Sequence, residues 1–157
     1  MNAKRNSLTL ALALFTLVLP ATGSTKNPVE RPIRIQATVT WIIRLSDGSA
    51  IGHETGVGTH VGQYSNEAVA QWAISETAVA LVSAAGVTTA ANGDELSWKL
   101  PGHDFTVEMT KGTGRFAGLI SGGMNVTWQS EPIIEPGPEI GTISFTISYI
   151  AVGMVSY

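Results

Sequence analysis

Residues 33–45 read IRIQATVTWIIRL. Every odd position in this stretch is apolar: Ile33, Ile35, Ala37, Val39, Trp41, Ile43 and Leu45. The even positions are Arg34, Gln36, Thr38, Thr40 and Arg44, with Ile42 the single exception. Successive side chains of a strand point to opposite faces, so this alternation predicts a long β-strand with one face buried and one in water. Ser46-Asp47-Gly48-Ser49 follows with the side chains that favour a turn.

The same period recurs downstream. Between Thr142 and Val152, Ile143, Phe145, Ile147, Tyr149 and Ala151 alternate with Thr142, Ser144, Thr146 and Ser148. Val87, Thr89 and Ala91 lead into Asn92-Gly93, a dipeptide suited to a type I′ hairpin turn in which both central residues have positive φ. Leu96 and Trp98 lead out of it towards Pro101-Gly102. Phe105, Val107 and Met109 mark another strand, and Lys111-Gly112-Thr113-Gly114 another turn. Apolar segments at Phe116–Ile120 and Met124–Trp128 come next. Residues 131–139 (EPIIEPGPE) hold three prolines, which restricts them to a loop or a sheet edge. Residues 66–83 are ambiguous, because their alanines suit a helix while Trp72, Ile74, Val79 and Val82 suit strands. The surrounding β pattern favours two strands meeting near Ser75-Glu76-Thr77. About eight closely spaced strands without a secure helix predict an all-β antiparallel sandwich or barrel. Strands with a polar opposite face suit a barrel, and closure removes exposed edges.

The first 23 residues have a different character. Lys4 and Arg5 precede an uncharged apolar run from Leu8 to Leu19, followed by Pro20-Ala21-Thr22-Gly23. Twelve helical residues cover roughly 18 Å, well short of a hydrocarbon core of about 30 Å, so the pattern predicts a signal peptide cleaved after Gly23. Residues 24–32 then form a flexible lead-in with two prolines, and residues 33–157 the barrel domain. LPATG at 19–23 spells a cell-wall sorting motif at the wrong end of the chain and reads as coincidence. The expected location is secreted or periplasmic.

There is no cysteine, which excludes a lipoprotein anchor, disulfides and thiol chemistry. With 9 basic against 12 acidic residues and no basic stripe, nucleic acid is not an expected partner. No second long apolar segment follows the leader, so no membrane association is expected after cleavage. No metal or cofactor motif is present, nor a nucleophile elbow or phosphate loop.

Three strings occur in order: Gly58-Thr59-His60-Val61-Gly62-Gln63-Tyr64, Thr89-Ala90-Ala91-Asn92-Gly93-Asp94-Glu95-Leu96, and Gly112-Thr113-Gly114-Arg115-Phe116-Ala117-Gly118. Together they resemble bacterial exported proteins with an allene-oxide-cyclase-like barrel domain, and the last resembles the glycine-rich hairpin of plant allene oxide cyclases and dirigent proteins. The resemblance spans roughly residues 36–149. It implies an eight-stranded antiparallel barrel, lipocalin-like in shape, with a cavity open at one end. It carries no catalytic set onto this chain.

Candidate sites follow from residue type. His60 and the His53-Glu54 pair could serve acid–base chemistry, although His60 at a glycine-flanked bend is also suited to bonding backbone groups. Asp94 and Arg115 suit either a polar ligand at the barrel mouth or a salt bridge tying two hairpins together. Trp41, Trp72, Trp98, Phe105, Phe116, Trp128, Phe145 and Tyr149 supply the material for a core or an apolar pocket. The candidate ligand-binding set, at the barrel interior or mouth, is His60, Asp94, Arg115, Trp41, Trp98 and Phe116. A non-catalytic barrel that binds a small apolar ligand, or acts as an interaction module, is the leading expectation. A cyclase or isomerase using the cavity is the alternative. Ile42, Ile150 and Val152 on the outer face point weakly to a homo-oligomer.

Overall fold

The computed structural model describes residues 27–102 and 104–157. The leader and the first part of the lead-in lie outside these residues. Nine strands follow in order: β1 (Glu30–Arg44), β2 (Ser49–Gly58), β3 (Gly62–Ile74), β4 (Val79–Ala90), β5 (Glu95–Leu100), β6 (Thr106–Gly112), β7 (Ser121–Trp128), β8 (Ile133–Pro136) and β9 (Thr142–Ser156). Each neighbouring pair is antiparallel. The sheet runs β1 to β7 in chain order and then β9, which returns to pair with β1. Eight strands therefore close a barrel, and the short β8 continues the line of β7 along the same edge of β9.

The closing seam is the longest ladder. It runs in continuous register from Glu30↔Ser156 to Arg44↔Thr142. On its outer face Thr38 Oγ1 lies 2.8 Å from Ser148 Oγ, and Thr40 Oγ1 lies 2.9 Å from Thr146 Oγ1. On its inner face Ile33, Ile35, Ala37, Val39, Trp41 and Ile43 are all buried, as their alternation predicts. Leu45 departs from the pattern and is exposed, because β1 ends at Arg44 and the chain has already entered the turn.

Two expectations need correction. The lead-in does not reach Pro32, because β1 begins at Glu30, where β9 extends to Ser156 and offers a partner. The Asn92-Gly93 hairpin is not type I′: Gly93 has φ +85°, while Asn92 is not among the positive-φ residues. Gly93 N–H bonds the Ala90 carbonyl and Ala90 N–H bonds the Asp94 carbonyl, a turn with a left-handed glycine in its third loop position. The apolar segment at Phe116–Ile120 is not a strand; a 3-10 turn at Gly114–Phe116 drops Phe116 into the core. The ambiguous 66–83 segment is two strands joined at Ser75–Ala78, where the Ser75 hydroxyl and the Ala78 main chain bond each other.

Bulky rings fill the interior because glycines on neighbouring strands make room for them. Trp41 lies opposite Gly52, where a Cβ would come within 2.5 Å of the indole. Trp98 lies opposite Gly86, where a Cβ would come within 2.8 Å of its ring. Gly102 has nothing within 4 Å of the equivalent position. Overpacking a core by one methyl costs about 1–3 kcal/mol. Gly52→Ala is expected to destabilise the protein by about that amount in urea unfolding, and Gly102→Ala by less than about 0.5 kcal/mol. Equal effects would contradict the packing account.

Candidate functional site

The two ends of the barrel differ. One is formed by the β2–β3, β4–β5 and β6–β7 connections together with the start of β1 and the end of β9. It is plugged by Phe116 (1% exposed), Val61, Ile33 and Val155. Three of the predicted site residues meet here. The Asp94 carboxylate accepts from Arg115 Nε (2.9 Å), the Arg115 main-chain N–H (3.2 Å) and Asn92 Nδ2 (2.7 Å). These bonds, the Arg115 side chain first, hold the Asp94 carboxyl below its usual range. Arg115 also donates to the His60 carbonyl at 3.1 Å, and its guanidinium covers the Phe116 ring at 5.6 Å.

His60 adopts φ +66° and its ring Nε2 lies 3.1 Å from the Pro32 carbonyl, where an N–H on that nitrogen donates. Asp94 and Arg115 thus tie the β4–β5 and β6–β7 hairpins together, and His60 ties the β2–β3 bend to β1. His53 is exposed on the outer wall, away from His60. The shared surface of Arg31, His60, Arg115 and Tyr157 is a concavity over the plug rather than an entrance to the interior.

Midway along the barrel lies a polar cluster inside the apolar wall. Glu54 is 7% exposed, and its Oε1 accepts a 2.5 Å hydrogen bond from the Tyr64 hydroxyl. Asn66 Nδ2 donates to Oε2 at 3.3 Å, and the Tyr149 hydroxyl reaches the same carboxyl. Burial outweighs these bonds and raises the Glu54 carboxyl above its ordinary value. Burial first and the nearby carboxyl second push both phenols upward, so both remain O–H donors. The adjoining cavity has a volume of only about 30 Å³, between Trp98, Thr88, Met109 and Met124. That is room for about one water.

The opposite end is not plugged. Here β5 reaches along β4 only to Ala84, and the β6–β7 ladder stops at Thr106↔Asn125. The interrupted wall leaves a cleft of about 510 Å³ lined by Trp72, Leu81, Phe105, Trp128, Phe145 and Ile147, with Ser130, Glu131 and Pro132 at its rim. Phe105 and Trp128 meet edge-on at 5.2 Å, Trp128 and Tyr149 at 6.1 Å, and Trp72 lies 5.1 Å from Phe145. Phe105 has φ +54°, an unusual conformation for a bulky residue. Its carbonyl accepts from Val126 N–H, and Asp104 Oδ1 caps the next amide, Thr106 N–H, at 3.1 Å. The strained backbone is thus fixed on both sides of the ring that walls the cleft.

Of the predicted aromatics, Trp41 is buried and packs edge-on against Trp72 at 6.1 Å. Trp98 borders the small cavity, and Phe116 fills the plug. The aromatic cleft residues belonged to the set read from sequence but not to the candidate site, and Leu81 and Ile147 belonged to neither. They come from β3, β4, β7, β9 and the β5–β6 connection, and no local spacing brings them together. Asn66 carries no motif either. Glu54 does carry a signal, since it falls on the small-residue face of β2 with Ala50, Gly52 and Gly56.

Comparison with protein-family models, curated proteins and solved structures found no match in any of the three.

A carboxyl raised by folding remains protonated in the native state at pH values where the unfolded chain has released the proton. Stability is then lost as pH rises from the ordinary value near 4.5 towards the raised one. Glu54→Gln removes that linkage. The stability of the variant relative to the parent is expected to increase between pH 4 and pH 8, read from urea midpoints at each pH. A difference that does not change with pH would contradict the assignment.

Proposed function

We propose that this chain is an exported, non-catalytic barrel that holds a small apolar ligand in the aromatic cleft at its unplugged end. The observation that carries the reading is the cleft itself. Its volume of about 510 Å³ falls within the range of roughly 300–1,000 Å³ for small-molecule sites, and its walls are predominantly hydrocarbon. At about 25 cal/mol per Å², roughly 330 Å² of apolar ligand surface must leave water to supply the about 8 kcal/mol of micromolar binding, so the site suits a ligand of more than one ring. A larger depression of about 620 Å³ lies on the outer wall among Gln36, Thr38, Thr55, Gln63, Gln129 and Ser148. It is lined largely by amides and hydroxyls, so it is the weaker candidate for an apolar ligand.

Export rests on the charged and apolar halves of residues 1–19. The closed eight-stranded barrel supports the resemblance to allene-oxide-cyclase-like domains at the level of fold, and fold alone assigns no activity.

A cyclase or isomerase reading draws on Glu54 with Tyr64, Tyr149 and Asn66, a set able to hold and move a proton. The neighbouring space of about 30 Å³ does not admit a substrate beside that carboxyl. Binding without turnover therefore accounts for more of the geometry.

N-phenyl-1-naphthylamine, whose fluorescence rises in apolar surroundings, is expected to bind saturably in the micromolar range. Trp128→Ala should weaken it about tenfold, which is about 1.4 kcal/mol. Arg115→Gln, at the plugged end, should leave binding unchanged. Absence of saturable binding, or equal binding by the Trp128 variant, would overturn the reading.

A further inference from the structure

The plugged end carries a concavity of its own, and its lining is cationic. The inward row of β1 that runs through Ile35 and Ile33 lands, one step earlier, on Arg31, which pairs with Val155 across the seam. The inward row of β9 continues in the same way from Val155 to Tyr157. Ile33 and Val155 belong to the plug, so Arg31 and Tyr157 stand just beyond it, and Arg31 is exposed. The β2–β3 bend adds His60 and the 3-10 turn adds Arg115; together the four residues and Phe116 line a space of about 450 Å³. A charged side chain in an apolar inward row is a local conflict of the kind that marks a second constraint. His60 is another, since a non-glycine residue holds φ +66° at a bend where glycine is the ordinary choice.

The charge in this space is not spent inside the chain. Among the described residues Arg31 has no ion pair, only the face of the Tyr157 ring at 5.9 Å. Arg115 gives Nε to Asp94 and Nη1 to the His60 carbonyl, which leaves the N–H groups of Nη2. Burial raises the Tyr157 hydroxyl above its ordinary value, while Arg31 and Arg115 both oppose that rise, and the group stays an O–H donor. No acid among the described residues lines the space, and the Asp94 carboxylate faces Arg115 and Asn92. We propose that this concavity binds the phosphate of a small organic monoester, held by Arg31, Arg115 and the Tyr157 hydroxyl. Guanidinium forks match phosphate oxygens in pairs, and the two cations supply the counter-charge that such an anion needs when it leaves water. The volume falls within the range of small-molecule sites and exceeds what phosphate alone fills, so the Tyr157 ring is left as a wall for the organic part. The site is independent of the aromatic cleft at the other end.

The test titrates phenyl phosphate and its uncharged dimethyl ester into ¹⁵N-labelled protein at low salt. Phenyl phosphate is expected to saturate with a Kd below about 1 mM and to shift the main-chain resonances of Arg31, His60, Arg115 and Tyr157. The dimethyl ester, which has no charge to pair, should not bind. Raising the salt to about 0.5 M should weaken phenyl phosphate severalfold. Arg31→Gln should weaken it about tenfold, the loss of the charged hydrogen bonds to one partner. Arg31→Lys keeps the charge without the fork and should weaken it about threefold. Arg44→Gln lowers the net charge equally at the far end of β1 and should leave the affinity within about twofold. Arg31 is exposed, so its variants are expected to fold, and unchanged resonances away from the concavity check this. Co-sedimentation with phosphatidylcholine vesicles, with and without phosphatidic acid, separates two sources of the phosphate. Retention by the phosphatidic acid vesicles assigns it to a lipid headgroup, and no retention assigns it to a soluble ester. Equal binding of phenyl phosphate and its dimethyl ester, equal weakening by Arg31→Gln and Arg44→Gln, or no saturation would overturn the proposal and leave the reading of the cleft as it stands.

Discussion

The structure depends on the pairing of its first and last strands. β1 and β9 meet along their full length, Glu30 to Arg44 against Ser156 to Thr142. The strands that β1 and β9 join between them would otherwise form an open sheet with two long exposed edges, and such edges invite pairing with other chains. Closing the sheet also fixes the register of the alternating residues in both strands, since a slip of one position would turn every apolar side chain outward. The inner row from Ile33 to Ile43 and the inner row from Ile143 to Ala151 are therefore specified together. The seam joins residues more than a hundred positions apart, a non-local contact of the kind that slows folding.

Closure sets the volume to be filled, and eight strands leave an interior just wide enough for side chains or one small ligand. This chain does both, at different heights. The plugged end is filled by Phe116 and aliphatic residues and held by the Asp94–Arg115 pair. In the middle, large rings lie over glycines and leave space for little more than one water. At the far end β5 and the β6–β7 ladder stop short, and the aromatic rings that would be core elsewhere become the walls of an opening. Strand length, more than composition, separates the filled part of the barrel from the accessible part.

That distinction explains what could be read from the sequence. Period-two alternation is a local signal, so β1 and β9 were legible almost residue by residue. The ambiguous alanines of 66–83 resolved correctly because every neighbouring segment was β. The Asp94–Arg115 tie was legible as one of two readings of turn chemistry. The cleft was not legible, because its rings come from strands distant in sequence and their convergence depends on where two ladders end. The conformation of the Phe116 segment was not legible for a related reason. Its apolar residues suit a strand, but Gly112 and Gly114 allow a tight 3-10 turn that sends one ring inward. Glu54 could have been found, since a carboxyl on the glycine-rich face of a strand conflicts with a buried location, and such conflicts mark sites under another constraint.

Among the described residues, two buried side chains break the rule that core polar atoms are paired: Asn66 through Oδ1 and Trp72 through Nε1. Neither lies at the plugged end, where the polar groups form a satisfied network with one another and with the main chain. Asn66 belongs to the Glu54 cluster and Trp72 to the cleft. Tyr149 connects the two regions, with its hydroxyl on Glu54 and its ring against Trp128. A purely structural barrel would gain stability by replacing Glu54 and its partners with hydrocarbon, because a buried carboxyl loses more in desolvation than three hydrogen bonds return. Among the described residues both unpaired atoms lie away from the plugged end, while of the two non-glycine residues at positive φ one, Phe105, walls the cleft and the other, His60, sits at the plug. Strain at both ends, with unpaired atoms away from the plug, is expected when a fold is selected for contact with something outside the chain as well as for stability.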